Sequence, residues 1–235
     1  MRPLLVTLAL ISAFCIAAED APDVPAPKGK PWWDQVHQAY LKRAKEGKID
    51  VLFLGDSITQ GWMEAGKKVW EKTFAPMNAA NFGIGGDKTE NVLWRINNGE
   101  IDGIAPKVVV LLIGINNTWT AKNTEAETKG KAIAGGTKAI VAKLQEKLPN
   151  AKILLHAVFP MKDGLPPIVK VINAEAAKLD NKPKVRFIDI GAKLANADGT
   201  VSKEVMEDGL HLTEKGYQIW ADAIEPIVKE MMNKE

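Results

Sequence analysis

Residues 51–59 read VLFLGDSIT, an apolar run that ends in a glycine and leads to a serine. The apolar run predicts a β-strand that is buried on both faces, as in a parallel sheet. A glycine directly after a strand allows a sharp turn, so Ser57 would stand at the top of the sheet where the next helix begins. A helix N-terminus favours developing negative charge. Taken alone, the pattern favours a serine that only caps the helix.

Alternating apolar runs and helical patterns follow this stretch. The further strands are predicted at Asn81-Phe82, Val108–Ile113, Ile153–Leu155 continued by Ala157–Phe159, and Val185–Ile190. Helices are predicted over Trp33–Ala44, Thr89–Ile96, Glu125–Leu148 with a possible break at Gly135-Gly136, Ile168–Leu179, and from Thr213 to the end. Strand–helix alternation of this kind predicts an α/β domain with three layers, α/β/α, and right-handed crossovers.

The composition describes an ordinary globular chain. Its 235 residues suit one domain, and 46% of them are hydrophobic and 26% charged. The net charge of +2 is small and the basic residues are spread along the chain. These features argue against a nucleic-acid partner.

The first residues have the layout of a secretory signal peptide. A basic start at Arg2 precedes a nearly continuous apolar run, which is too short to span a bilayer, and small residues cluster near Ala18. We therefore expect a signal peptide over residues 1–18, a periplasmic or secreted mature protein without a membrane span, and a linker over residues 19–31 rich in Pro, Asp, Lys and Gly. A buried helix and lipid attachment at Cys15, the only cysteine, are the alternatives.

Two loops at predicted strand ends carry groups that could stabilise an oxyanion. Residues 83–87 read GIGGD and offer backbone N–H groups to an anion, with Gly86 as the candidate donor. They lack the spacing of nucleotide-binding glycine loops. Asn116, in the sequence GINN at 114–117, could donate through its side chain. A turn that needs glycine and an Asx turn are the structural alternatives.

A histidine base for Ser57 is suggested by residues 208–211, which read DGLH just before the last helix. A serine needs an adjacent base to become a nucleophile, and Gly209 gives the turn freedom to bring Asp208 onto the His211 ring. Of the other two histidines, His37 is expected at the surface and His156 in the core as a hydrogen-bonded residue.

Together these residues resemble the four sequence blocks of the SGNH (GDSL-type) hydrolases. The resemblance runs from about Val51 to Tyr217, and the segments at 81–87 and 92–95 are most similar to the catalytic-subunit branch of the platelet-activating-factor acetylhydrolases. It implies a flavodoxin-like, five-stranded parallel sheet and a hydrolase domain over residues 32–235. It also implies a catalytic set of Ser57, His211 and Asp208, with an oxyanion hole from the Ser57 and Gly86 amides and the Asn116 side chain. The family's third block often ends in Asn-Asp, whereas the corresponding residues of this sequence are Asn116 and Asn117.

The resulting expectation is a carboxylic ester hydrolase that acts through an acyl-enzyme without a metal or an organic cofactor. Its substrate would be a small or carbohydrate ester, with acetyl as the acyl group. Trp62, Trp119 and the loop from Pro160 to Pro167 are candidates for the acceptor side, and ordinary loop and core packing is the alternative for them. The alternatives are a lysophospholipase or thioesterase of the same family, a non-catalytic carbohydrate- or ligand-binding protein, and a flavin- or nucleotide-binding protein. The sequence does not predict an oligomeric state.

Overall fold

The computed structural model describes residues 21–233. The expected signal peptide, including Cys15, lies outside this range. In chain order the regular elements are α1 Pro31–Lys45, β1 Val51–Gly55, α2 Ser57–Gln60, α3 Lys67–Thr73, β2 Ala79–Gly83, α4 Thr89–Asn97, β3 Val108–Leu112, α5 Ala126–Lys147, β4 Lys152–His156, α6 Pro167–Ala177, β5 Val185–Ile188, α7 Gly191–Leu194 and α8 Glu214–Asn233, with short 3-10 turns between several of them.

The five strands form one parallel sheet in the order β2-β1-β3-β4-β5. This order confirms the flavodoxin-like α/β/α sandwich. The chain reverses its direction of winding between β1 and β3, and the carboxyl ends of these neighbouring strands leave a crevice in which sites of such folds form.

Alternate residues of the central strands contribute their side chains to two apolar cores, one on each face of the sheet. Phe53 lies in the core that contains Trp62 and Trp220, whereas Leu52 and Leu54 lie in the other. All five side chains are fully buried. This double burial is the physical reason why the strands read as continuous apolar runs.

Several expected boundaries differ from the observed ones. The strand β4 ends at His156 and β5 at Ile188, so neither continues as far as predicted. Gly135-Gly136 does not break α5. Gly136 is needed for close packing, because a β-carbon at this position would lie 2.3 Å from the carbonyl oxygen of Pro22.

The segment before α1 has no regular secondary structure between residues 25 and 30. It nevertheless lies on the domain, because the N–H of Ala26 donates to the carbonyl of Glu90 at 3.1 Å. Within the described range, no helix has the length and hydropathy needed to cross a bilayer.

Candidate active site

The end of β1 and the start of α2 present Ser57. A β-carbon on Gly55 would lie 2.3 Å from the carbonyl oxygen of Leu112, so only glycine allows β1 and β3 to approach this closely. Asp56 caps α2, since its Oδ1 accepts the N–H of Ile58 at 3.0 Å. The capping role that was open for Ser57 therefore belongs to Asp56, and the serine hydroxyl is left for another partner.

That partner is His211. The Oγ of Ser57 lies 2.9 Å from Nε2 of His211, across 154 residues of sequence. The Nδ1 of the same ring lies 2.6 Å from Oδ2 of Asp208. The structure thus brings the three expected residues together in the order hydroxyl, imidazole, carboxylate. This arrangement can remove a proton from the serine as it attacks a carbonyl.

The carboxylate of Asp208 stays ionised at neutral pH. Its partial burial would raise its pKa, but the His211 ring and the N–H groups of His211 and Leu210 hydrogen bond to it and lower the pKa to about 2. An ionised carboxylate keeps the proton of the ring on Nδ1, so that Nε2 can accept the proton of Ser57. Gly209 permits the turn with a φ of 84°, and a β-carbon there would lie 2.7 Å from Lys162.

The glycine loop after β2 lies beside Ser57. A β-carbon on Gly85 would be 3.9 Å from Cβ of Ser57, and the N–H of Gly85 donates to the Gln60 side chain on α2 at 2.8 Å. Gly86 has a φ of 72°, in the left-handed region that favours glycine. The loop is therefore fixed to the helix that carries Ser57.

Asn116 follows β3 and adjoins the same loop. Its Nδ2 donates to the carbonyl oxygen of Asp87 at 2.9 Å, and its Oδ1 accepts the indole N–H of Trp119 at 3.1 Å. An indole N–H can only donate, which fixes the orientation of the amide. One of the two N–H groups on Nδ2 has no protein partner within residues 21–233 and is free for an oxyanion.

Asn117 has a structural role that the sequence did not indicate. Its Oδ1 accepts the N–H of Thr89 at 3.0 Å, and its Nδ2 donates to Oε2 of Glu90 at 2.8 Å. The side chain thereby joins the turn after β3 to the first turn of α4. It positions the neighbouring Asn116.

A buried cluster of charges lies behind the glycine loop. Asp87 accepts hydrogen bonds from the Trp33 indole at 2.6 Å and from Nε of Arg95 at 2.8 Å. The Arg95 guanidinium also bonds to Glu100, which lies 2.7 Å from Nδ1 of His37. Burial raises the pKa of Asp87, and the Arg95 charge opposes that shift. The cluster fixes the backbone of Asp87, to which Asn116 donates.

The expectation that His37 lies at the surface is wrong, because only 3% of it is exposed. It packs between Trp33 and Trp94 with its ring 5.9 and 5.2 Å from theirs. The spacing of Trp33, His37, Tyr40 and Ala44 places all four on one face of α1, and this periodicity was the signal that could have found it.

His156 and Trp62 belong to the core. The Nε2 of His156 accepts the Trp220 indole N–H at 3.2 Å, whereas its Nδ1 has no hydrogen-bond partner among residues 21–233. Burial lowers the pKa of His156 to about 3, so the ring is neutral. Trp62 is fully buried, so of the two alternatives for it core packing is correct and the acceptor side is not, whereas Trp119 is 55% exposed.

Depressions in the surface flank the site. One of about 680 Å³ is lined by Ala65, Asp208 and His211 among others. Another of about 220 Å³ lies against Gly86 and Lys28. The loop from Pro160 to Pro167 borders a separate cleft of about 740 Å³, and it touches the site through the N–H of Lys162, which donates to the carbonyl of Gly209 at 2.9 Å. Within the described residues, no group of three or more metal-ligating side chains could hold a metal ion.

Comparison with solved structures supports the fold. A GDSL-like lipase from Bacteroides thetaiotaomicron superposes with a TM-score of 0.61 at 18% identity, covering 83% of this chain and 97% of that one. An acetyl xylan esterase, AlAXEase, superposes at 0.59 and 23% identity over 77% and 100% of the two chains. A carbohydrate esterase of family 3 from Talaromyces cellulolyticus gives 0.53 at 17% identity over 78% and 98%.

Comparison of the sequence shows the family. The chain is 34% identical over 211 residues to platelet-activating factor acetylhydrolase IB subunit alpha2 of Gallus gallus, covering 88% of both proteins. It is 31% identical over 207 residues to the alpha1 subunit of Homo sapiens, covering 86% of this chain and 85% of the relative. The profile of the GDSL-like lipase/acylhydrolase family matches residues 53–219. The chain therefore belongs to the GDSL-like lipase/acylhydrolase family and is a carboxylic ester hydrolase.

Proposed function

We propose that this esterase removes short acyl groups, acetyl in particular, from a carbohydrate through an acyl-enzyme on Ser57. The observation that carries the proposal is the relay from Ser57 through His211 to Asp208, with contacts of 2.9 and 2.6 Å. A protein that only binds its ligand has no need of a serine activated in this way.

In the proposed reaction, the Ser57 oxygen attacks the ester carbonyl as Nε2 of His211 takes its proton. The negative charge that develops on the carbonyl oxygen is stabilised by the N–H groups of Ser57 and Gly86 and by the side chain of Asn116. His211 then returns the proton to the departing alcohol. A water molecule repeats the sequence on the acyl-enzyme, which releases the acid and frees Ser57.

A carbohydrate as the alcohol is supported by the exposed ring of Trp119. Tryptophan is enriched at binding interfaces, and the hydrogen bond to Asn116 holds this ring beside the proposed oxyanion hole. The names of an acetyl xylan esterase and a carbohydrate esterase among the structural neighbours support the same class. The names of the acetylhydrolase relatives support an acetyl group. From the N-terminal pattern, we further propose that the enzyme is exported.

The proposal is tested by hydrolysis of acetylated xylan, sugar acetates and nitrophenyl esters of increasing chain length. We expect the wild type to prefer acetyl esters and Ser57→Ala to abolish turnover with an unchanged thermal melt. A fluorophosphonate should label the wild type at residue 57 only. Ser202→Ala, which removes a hydroxyl outside the site, is the matched control. Full esterase activity in Ser57→Ala would refute the catalytic role of this serine.

The substrate panel also separates the alternatives. If lysophospholipids or acyl thioesters are hydrolysed faster than any sugar ester, the substrate class is a lysophospholipid or a thioester and not a carbohydrate ester. Asn116→Ala should lower kcat by roughly 10²- to 10³-fold, the cost of one oxyanion donor, while the protein stays folded.

A further inference from the structure

The chain before α1 is bound beside the Gly86 loop. The carbonyl of Pro22 accepts the hydroxyl of Thr89 at 2.8 Å, and the carbonyl of Ala26 accepts Nδ2 of Asn91 at 3.0 Å. Gly136 leaves the space in which Pro22 lies. These contacts fix the segment from Pro22 to Ala26 on α4 and α5, and the next residues reach the candidate site.

Lys28 extends from this segment onto the loop. Its Nζ donates to the carbonyl oxygen of Gly85 at 3.2 Å and lies 3.7 Å from Oδ1 of Asp87. A β-carbon on Gly86 would lie 2.9 Å from the same nitrogen. The ammonium thus occupies the side of Gly86 on which other residues carry a side chain. The Lys28 side chain is 21% exposed.

The carbonyl of Gly85 and the N–H of Gly86 belong to one peptide unit. A trans peptide is planar, and its C=O and N–H point in opposite directions. A cation that holds the Gly85 oxygen on one side therefore turns the Gly86 N–H to the other side. Because neither residue has a β-carbon, this peptide can rotate at low cost unless something holds it. Rotation would present an oxygen where the reaction needs a donor.

We propose that Lys28 is a positioning residue that holds the Gly85–Gly86 peptide with its N–H toward the reacting carbonyl. The inference rests on the proposed function, in which the Gly86 N–H stabilises the oxyanion. The hydrogen bond to a charged group also polarises the peptide and strengthens the N–H on its far side. A segment outside the strand–helix framework thereby completes the oxyanion hole.

The kinetic test compares Lys28→Met with Lys30→Met, a matched change at an exposed lysine of the same segment. With nitrophenyl acetate, Lys28→Met should lower kcat by about 10- to 100-fold, short of the 10²- to 10³-fold cost of losing a donor outright. KM should change less than about twofold, because the effect lies in the transition state. Lys30→Met should resemble the wild type in both constants.

A second readout follows the peptide itself. Gly85-Gly86 and Gly135-Gly136 are the two Gly-Gly pairs of the sequence. Protein labelled with ¹³C-carbonyl and ¹⁵N glycine therefore gives two carbonyl–amide cross-peaks in NMR spectra. Lys28→Met should shift the Gly86 peak and leave that of Gly136, which packs against Pro22 and reports whether the segment stays bound.

Three results would overturn the proposal. An unchanged kcat would remove the role in catalysis. A raised KM with a retained kcat would make Lys28 a substrate contact. Shifts of both peaks with a lower melting temperature would mean that Lys28 only fastens the segment. The proposed function fails separately, if Ser57→Ala is fully active, and the Gly86 peak would still report what Lys28 does to the peptide.

Discussion

Nη2 of Arg95 donates a hydrogen bond to the carbonyl oxygen of Gly55 at 3.3 Å. A fully buried cation on α4 is thereby joined to the last residue of β1, two positions before Ser57. The same guanidinium binds Asp87 and Glu100. One side chain therefore connects the strand end that presents the serine to the loop that carries Gly86.

Loss of the Arg95 charge should destabilise the whole protein. Arg95→Met leaves the buried carboxylates of Asp87 and Glu100 without their shared partner, which typically costs about 3–5 kcal/mol of unfolding free energy. Arg186→Met is the matched control, since it breaks a partly exposed pair with Glu230 and should cost about 1 kcal/mol or less. Urea unfolding followed by tryptophan fluorescence measures both. Equal losses in the two variants would contradict a special role for Arg95.

Asp56 should make stability depend on pH. Burial raises its pKa from 3.8 to about 7, and the Asp87 charge adds to the shift, whereas the Ile58 N–H bond and His211 oppose it. Between about pH 4 and pH 7 the folded protein keeps a proton that the unfolded chain has released. The contribution of Asp56 to stability is therefore complete below pH 4 and is lost as the pH rises through 7.

Asp56→Asn removes this titration and keeps an oxygen that can accept the Ile58 N–H. The unfolding free energy of the variant minus that of the wild type should rise by up to about 1.4 kcal/mol per pH unit between pH 4 and 7. Above pH 7 this difference should stay constant. Urea unfolding at half-unit steps of pH measures the difference. Asp34→Asn, at an exposed position of α1, should run parallel to the wild type. Parallel behaviour of Asp56→Asn would show that Asp56 does not titrate in this range.

Asp208→Asn should lower kcat by up to about 10⁴-fold, because an amide favours the wrong tautomer of the histidine. The fold should survive, since more than half of the Asp208 side chain is exposed. Glu207→Gln removes the same charge from the adjacent residue and should leave kcat within about twofold of the wild type. A similar loss in both variants would point to the general charge of the loop rather than to the contact with His211.

Trp119 allows a test of the carbohydrate proposal. If the exposed indole stacks on a sugar ring, Trp119→Ala should raise KM for acetylated xylan about 5- to 10-fold, a stacking contribution of roughly 1–1.5 kcal/mol. Trp119→Phe keeps an aromatic face and should retain most of the affinity. The KM for nitrophenyl acetate, which has no sugar, shows how much of the effect in each variant comes from the lost hydrogen bond to Asn116. Equal effects on the two substrates would exclude a sugar contact at this position.

The turns that present Ser57 and His211 could be predicted because their chemistry is local. Gly55 stands where β1 and β3 approach closely, and Gly209 stands where the backbone has a positive φ. The residues that follow them in sequence present the serine and the imidazole. The order of the strands required the family resemblance in addition, since periodicity alone does not say which strands are neighbours. The meeting of Ser57 and His211 was likewise implied by the resemblance.

The contacts across the chain could not be predicted in the same way. Lys28 lies in a segment whose composition indicated a linker, and its partner Gly85 is 57 residues away. The burial of Trp62 depends on packing against Tyr217 and Trp220 of α8, which no local pattern of residues 61–63 reveals. Lys28 and Trp62 owe their positions to distant partners, which the residues around them in sequence do not reveal.

The helix α8 begins close to His211 and ends at the opposite edge of the sheet, where Nζ of Lys152 donates to the carbonyl of Met231 at 2.8 Å. Its 20 residues extend for about 30 Å. An affinity handle or a solid support attached to this end of α8 would therefore lie on the side of the sheet away from Ser57 and His211. Immobilisation through this end should therefore leave the candidate active site open to a polymeric substrate.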